Sequence, residues 1–79
     1  MENGSKYRDV VNGILVDTAY IGWEKTGPYW ETMAVKVKVS KGNQKTDWLH
    51  PLTIVRAKTE AEALENHDRV LGDVYEGKL

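Results

Sequence analysis

The clearest pattern in the chain is an alternation of apolar and polar residues within YWETMAVKVKVS, residues 29–40. A two-residue period is typical of a β-strand that buries one face. The apolar set consists of Met33, Val35, Val37 and Val39. Extending this parity backwards places Glu31 on the same face, so the pattern predicts a carboxylate in register with the hydrophobic core.

Two further segments are predicted to be strands. Residues 13–23, GILVDTAYIGW, are rich in β-branched and aromatic side chains, and residues 48–58, WLHPLTIVRAK, resume this composition after a polar turn. The turn-forming sequences EKTGP and KGNQKTD separate the three strands. Residues 1–12 are polar with little periodicity, and we expect them to form a flexible lead-in.

The last part of the chain has a helical period. Thr59 followed by Glu62 forms a capping box, which predicts the start of a helix. The apolar stripe at helical spacing consists of Ala63, Leu64, His67, Val70, Leu71 and Val74. The predicted fold class is α+β, an antiparallel three-stranded β-meander with one C-terminal helix packed on one face, in a single small domain over residues 13–79.

The first predicted strand is apolar on both of its sides, whereas one helix covers only one face of a sheet. Such a strand is usually covered on both faces, and a chain of 79 residues builds only a small core. We therefore expect a homo-oligomer. A monomer with a partly exposed aromatic face is the alternative.

The composition limits the class of protein. The formal charge is −1 and there is no cysteine, so neither a nucleic-acid partner nor thiolate chemistry is predicted. No apolar run approaches the roughly 18 residues of a membrane span, and we expect a soluble, intracellular protein. Residues 59–79 carry six acidic against two basic side chains. This acidic part is either a solvated helix face or the counterpart of a basic part that meets an anionic ligand.

Glu31 and His67 are the first candidates for chemistry. On the predicted parity Glu31 faces the helix, and His67 lies in the helical apolar stripe. Buried carboxylates need a partner, and a carboxylate can fix an imidazole tautomer, so we expect these two side chains to meet each other or one ligand. The alternatives are a bend or a rim position at Glu31 and an ordinary core histidine at His67.

Aromatic side chains bracket the Gly-Pro turn of the first hairpin, where they are either anchors for a base or a protein partner, or part of the core or of an oligomer seam. Nearby cations available for phosphate are Lys25, Lys36, Lys38 and Arg56. The predicted ligand-binding residues are Tyr20, Trp23, Tyr29, Trp30, Glu31, Lys36, Arg56 and His67. The sequence contains no recognised phosphate loop, metal-ligand spacing or serine nucleophile motif, so no catalytic residue, metal or cofactor is predicted.

Several short motifs give the chain a family resemblance. They are Ile21-Gly22, Trp30-Glu31-Thr32-Met33, and Thr59, Glu62, Ala63 and His67 on the helix. In this order they resemble a group of short, largely uncharacterised proteins encoded by bacteriophages and related mobile elements. The chain departs from them in having Asn66 before the histidine, where a glycine is frequent, and in its long lysine-rich hairpin.

The resemblance implies a phage accessory protein that acts in the host cytoplasm, with a role against host defence. We expect it to sequester a small anionic, nucleotide-type signalling molecule of host immunity. The alternative is an interaction module that inhibits a host protein through its aromatic sheet face. A weaker alternative is an enzyme that cleaves such a messenger with Glu31 and His67 as acid and base.

Overall fold

A computed structural model of the chain describes residues 4–22 and 27–79. In chain order the elements are β1 (Gly4–Val11), β2 (Ile14–Ile21), β3 (Tyr29–Ser40), β4 (Asn43–Thr46), β5 (Thr53–Ala57) and α1 (Glu60–Tyr75). The class predicted from the sequence, α+β with an antiparallel sheet and one C-terminal helix, is confirmed. The three-stranded meander is wrong, because the described residues form a sheet of five strands.

Strand β1 lies where the sequence predicted a flexible lead-in. It pairs antiparallel with β2 through a two-residue turn, Asn12 and Gly13, whose φ angles are 52° and 75°. Positive φ at both central residues defines a type I′ turn, for which Asn-Gly is a preferred pair. The polar side chains of β1 conceal its strand character, but the Asn-Gly dipeptide before Ile14 is a signal for this hairpin.

Strand β3 is the centre of the sheet and pairs on both of its edges. One edge pairs with β2, and the other pairs first with β5 and then with β4. Between β4 and β5, the Asp47 N–H donates to the Lys36 carbonyl (2.9 Å) and the Leu52 N–H donates to the Ala34 carbonyl (2.7 Å). Residues 48–51 leave the sheet between these two bonds. The strand predicted over residues 48–58 is therefore a loop followed by a short strand.

The helix packs on β1, β2, β3 and β5, on the face opposite to the predicted one. Ala34 belongs to one buried cluster with residues of β2 and α1: Ile14, Val16, Val70 and Val74. Because neighbouring strand residues point to opposite faces, Glu31 and Val35 face away from the helix. The predicted parity is wrong because the helix packs on the small side chains of β3, Thr32 and Ala34, which allow close approach.

The second face of the sheet has its own buried residues. Leu15 and Val35 are buried there without the helix. The Arg8 guanidinium lies 6.0 Å from the Trp48 ring centroid and 3.4 Å from Asp17 on this face. Trp48 is thereby placed over the second face, so the loop at residues 48–51 partly covers it.

The predicted helix start is confirmed. Thr59 is the N-cap, and its hydroxyl accepts from the Glu62 N–H at 3.2 Å. The helix continues through Gly72 to Tyr75, and Gly77 follows with φ 74°. No helix within residues 4–22 and 27–79 has the length and apolar content needed to cross a membrane.

The reversed parity of β3 is testable by overpacking. Ala34 is fully buried against the helix, so Ala34→Leu is expected to destabilise the fold by about 1–3 kcal/mol. Val39→Leu, at a position that is 72% exposed, is the control and should change the free energy of unfolding by less than about 0.5 kcal/mol. Urea unfolding gives the free energy of unfolding of both variants. Equal effects would contradict the assigned face.

Candidate functional site

The structure separates the predicted site residues into three places. Tyr20, Trp30 and His67 lie on the helix side of the sheet, and Tyr29, Glu31 and Arg56 lie on the opposite face. Lys36 lies further along β3, towards the β3–β4 hairpin. Trp23 and Lys25 fall outside the described residues. The seven predicted residues that the structure describes therefore do not form one site.

His67 is buried beneath the helix and belongs to a chain of polar groups that begins at the half-exposed Asp9. Its Nε2 lies 2.7 Å from a carboxylate oxygen of Asp9, and its Nδ1 lies 2.8 Å from the Thr18 hydroxyl. The Thr18 hydroxyl in turn lies 2.7 Å from that of Thr32, its direct cross-strand partner. The series carboxylate, imidazole, hydroxyl, hydroxyl joins β1, α1, β2 and β3.

The Asp9 carboxylate fixes the direction of the first hydrogen bond in this network. An ionised Asp9 carboxylate only accepts, so the His67 Nε2–H donates to it. The Nδ1–Thr18 and Thr18–Thr32 hydrogen bonds both run towards the imidazole when Nδ1 carries no proton, and both run away from it when Nδ1 is protonated. The order resembles that of a hydrolase triad, but Thr18 is 0% exposed and no substrate atom can reach its hydroxyl. The network is therefore structural, and leaving one member unpaired costs about 1–3 kcal/mol.

Glu31 does not contact His67, and the predicted pairing of these two residues is wrong. Glu31 lies directly opposite Arg56 in the β3–β5 pair, and its carboxylate is 3.4 Å from the Arg56 Nε. The Glu31 side chain is 18% exposed, against 67% for Arg56. The sequence argument correctly required a partner for Glu31, but the partner lies on the neighbouring strand. The carboxylate that orients His67 is Asp9.

Tyr20 and Trp30, two members of the predicted aromatic cluster, are in contact with ring centroids 5.1 Å apart, whereas Tyr29 lies on the opposite face of the sheet. The side chain of Lys6, on β1, reaches towards these rings, and its Nζ lies 5.8 Å from the Trp30 ring centroid. The same ammonium is 2.8 Å from Glu60 at the start of the helix, and the Tyr7 hydroxyl donates to Glu60 at 2.6 Å. This cluster ties β1 to the helix N-terminus.

The hydrogen bonds that Lys6 and Tyr7 donate to Glu60 shift the pKa values of all three residues. Hydrogen bonds from Lys6 and then Tyr7 hold the pKa of Glu60 below its ordinary value. The hydrogen bond to Glu60 raises the pKa of Lys6, and it raises the pKa of Tyr7 together with partial burial. All three directions favour ammonium, phenol and carboxylate in the folded protein.

The tyrosine–arginine groove lies where the start of β3 meets the end of β5 and the start of the helix. It has a volume of about 810 Å³ and is lined by Gly27, Pro28, Tyr29, Arg56, Ala57, Lys58 and Glu62. The Arg56 guanidinium lies 4.8 Å from the Tyr29 ring centroid, a cation–π distance. Two of the predicted ligand-binding residues, Tyr29 and Arg56, thus meet in one groove with a second cation, Lys58.

The lysine groove lies at the other end of β3, on the β3–β4 hairpin. It has a volume of about 550 Å³ and is lined by Lys36, Lys38, Ser40, Lys41, Asn43, Lys45 and Asp47. Within the described ranges none of these lysines takes part in an ion pair. Lys36 was predicted from the sequence to bind a ligand, but the structure separates it from the predicted aromatic residues.

Sequence reasoning missed Asp9, Thr18 and Lys58 as neighbours of the candidate residues. Asp9 lay in the supposed lead-in, and Thr18 is an ordinary strand residue by composition. Lys58 directly precedes the capping threonine, which places it at the helix start. The register of the strands, which the sequence pattern does not specify, brings these residues to their partners.

Comparison with known proteins adds no family to this description. A scan against protein-family models, a search of curated proteins and a search of solved structures each returned no match to the chain. The resemblance to short phage-encoded proteins stays a prediction.

The Glu60 cluster predicts an acid-sensitive contribution to stability. A carboxylate whose pKa is lowered on folding stabilises the fold above its unfolded pKa, and this stabilisation is lost as the pH falls through the folded pKa. Glu60→Gln should therefore flatten the stability profile measured by urea unfolding below the ordinary glutamate pKa of about 4.3. Glu65→Gln, on the exposed side of the same helix, is the control. An equal flattening in both variants would contradict the assignment.

Proposed function

We propose that the chain is a binding protein that sequesters a small phosphate-bearing, nucleotide-type ligand in the tyrosine–arginine groove, without converting it. In the phage setting implied by the sequence resemblance, this ligand is a signalling molecule of host immunity. The observation that supports the proposal is the convergence of an aromatic ring, a guanidinium and an ammonium in one groove. A base requires a flat stacking partner, and a phosphate requires cationic donors.

The side chain of Arg56 is held in one orientation before any ligand binds. Its Nε contacts Glu31 and its guanidinium lies over the Tyr29 ring, so two neighbours restrict its orientation. Within the described residues its two Nη groups have no hydrogen bond. A guanidinium fixed in this way offers paired donors suited to phosphate oxygens. Glu31 thus acts as a positioning residue.

The helix start adds to the positive potential of the groove. Thr59 caps the helix directly after Lys58, so the positive end of the helix dipole lies beside this lysine. Glu62 lines the same groove and opposes this potential. The groove therefore suits a ligand that combines a flat ring with a limited negative charge.

A second candidate function is protein binding through the second face of the sheet. Large apolar side chains remain exposed on this face and its covering loop: Val10, Val39, Trp48, Leu49 and Ile54. Leu49 is 87% exposed beside Trp48, and such anchors suit a protein partner. The partner is either a host protein or a second copy of the chain, which is the predicted homo-oligomer.

A thermal-shift panel of cyclic dinucleotides and ADP-ribose, followed by calorimetry, tests the nucleotide proposal. We expect at least one probe to bind and to be recovered unchanged by chromatography. Tyr29→Leu should lower its affinity by about 1–3 kcal/mol, the contribution of one stacked base. Arg56→Gln should also weaken binding, through loss of charge-assisted hydrogen bonds.

Two matched variants separate a site effect from an effect on the fold. Tyr29→Phe keeps the ring and should retain binding, and Arg69→Gln removes an exposed cation whose hydrogen bond is to Asn66 on the helix. If no probe binds, or if Tyr29→Leu binds as tightly as the wild type, the proposed site is wrong. The protein-binding alternative is favoured if Tyr29→Leu and Arg56→Gln keep their affinity for the probe while Leu49→Lys no longer binds a host protein or a second copy of the chain.

A further inference from the structure

The lysine groove carries a positive charge that forms no ion pair among the described residues. Lys38 and Lys45 lie directly opposite each other across the hairpin, and like charges in this arrangement destabilise a sheet. Asp47 is the one acidic residue in the lining, and its carboxylate lies 3.1 Å from His50. The near-neutral charge of the whole chain conceals this local excess, because the acidic side chains are concentrated on the helix.

The tip of the hairpin has a second unfavourable feature. Lys41 and Gly42 form the two-residue turn, with φ angles of 50° and 79°. Positive φ suits glycine and asparagine, whereas lysine is strained there. A lysine at this position adds positive charge to the groove where the backbone favours a different residue.

The lining indicates the class of ligand. It combines four lysines with the hydroxyl of Ser40 and the amide of Asn43, and no aromatic residue is among the lining residues described. Lysine, hydroxyl and amide groups bind phosphate oxygens without reading bases. Lys36 and Lys38 lie on one face of the strand, about 6.8 Å apart along it, so the cations form a row.

We propose that the lysine groove is a second anion site, which binds the phosphodiester backbone of nucleic acid without sequence preference. The hairpin extends beyond the helix, and the side chains of Lys36, Lys38, Lys41 and Lys45 are exposed. The site is separate from the tyrosine–arginine groove at the opposite end of β3. It reverses the expectation from overall charge that nucleic acid is not a partner.

Fluorescence anisotropy with a labelled single-stranded oligonucleotide and a duplex of equal length tests this proposal over a series of salt concentrations. If four phosphates are neutralised, the slope of log K against log salt should be about −2.8 for the single strand and about −3.6 for the duplex. Each lysine removed should make the slope shallower by about 0.7 for the single strand and by about 0.9 for the duplex. Binding of either form supports the proposal, and the ratio of affinities identifies the preferred form.

Lys41→Asn is the sharpest variant, because it removes a charge and places a residue better suited to positive φ. It should weaken oligonucleotide binding while leaving the free energy of unfolding unchanged or increased. The double variant Lys38→Gln/Lys45→Gln should make the slope shallower by about 1.4 for the single strand and by about 1.8 for the duplex, without destabilising the hairpin. The matched control is Arg69→Gln/Lys78→Gln, which removes two cations from the C-terminal region.

Several outcomes would overturn the proposal. These are no oligonucleotide binding, a salt slope near zero, or an equal loss of affinity in the control double variant. Binding of inorganic tripolyphosphate without binding of either oligonucleotide would also overturn it, since the groove would then hold only a small anion. Tyr29→Leu should leave oligonucleotide affinity unchanged, so the failure of the nucleotide proposal and the failure of this one are separately visible.

Discussion

The contact between the Thr18 and Thr32 hydroxyls, 2.7 Å apart beneath the helix, is the interaction on which the arrangement of this chain depends. The two threonines are direct partners in the β2–β3 pair, and both are buried. Buried hydroxyls need hydrogen-bond partners, and His67 supplies one on the helix. A shift of one residue in either strand would place a threonine on the wrong face and leave the network incomplete. The network therefore favours one register and one helix position.

The position of the helix determines where ligands can bind. Because the helix starts after β5 and lies on the half of β3 that pairs with β5, its N-terminus falls beside Tyr29 and Arg56. The other half of β3 extends beyond the helix with β4 and leaves its lysines exposed. One long strand thus carries two grooves of different chemistry. The groove with an aromatic ring suits a nucleotide, and the groove with a row of lysines suits a phosphodiester backbone.

Local signals in the sequence predict part of this structure well. The capping box at Thr59 and the alternation of β3 specify the helix start and the longest strand, because both depend on neighbours in the chain. The face that the helix covers was not predictable from alternation, since both faces of β3 are partly buried. Apolar Val35 packs without the helix, and small Ala34 packs beneath it. Choosing between them requires knowledge of the tertiary packing that places Ala34 in one cluster with Val70 and Val74 of the helix.

The candidate site shows the same division. Tyr29 and Arg56 were recognisable as ligand-binding types, and the β3–β5 register brings them together. The partners of Glu31 and His67 required cross-strand information. Arg56 pairs with Glu31, and Asp9 pairs with His67. Asp9 belongs to a strand whose polar composition hides its periodicity. Chemistry could be anticipated by residue type, whereas the pairing of residues required the register.

The imidazole nitrogens of His67, observed by nitrogen-15 NMR, test this account most directly. We predict that Nε2 carries the proton and that its resonance shifts in Asp9→Asn but not in Glu31→Gln, because Asp9 is the carboxylate 2.7 Å from Nε2. A resonance that responds to Glu31→Gln and not to Asp9→Asn, or an unprotonated Nε2, would contradict the assigned register and helix face.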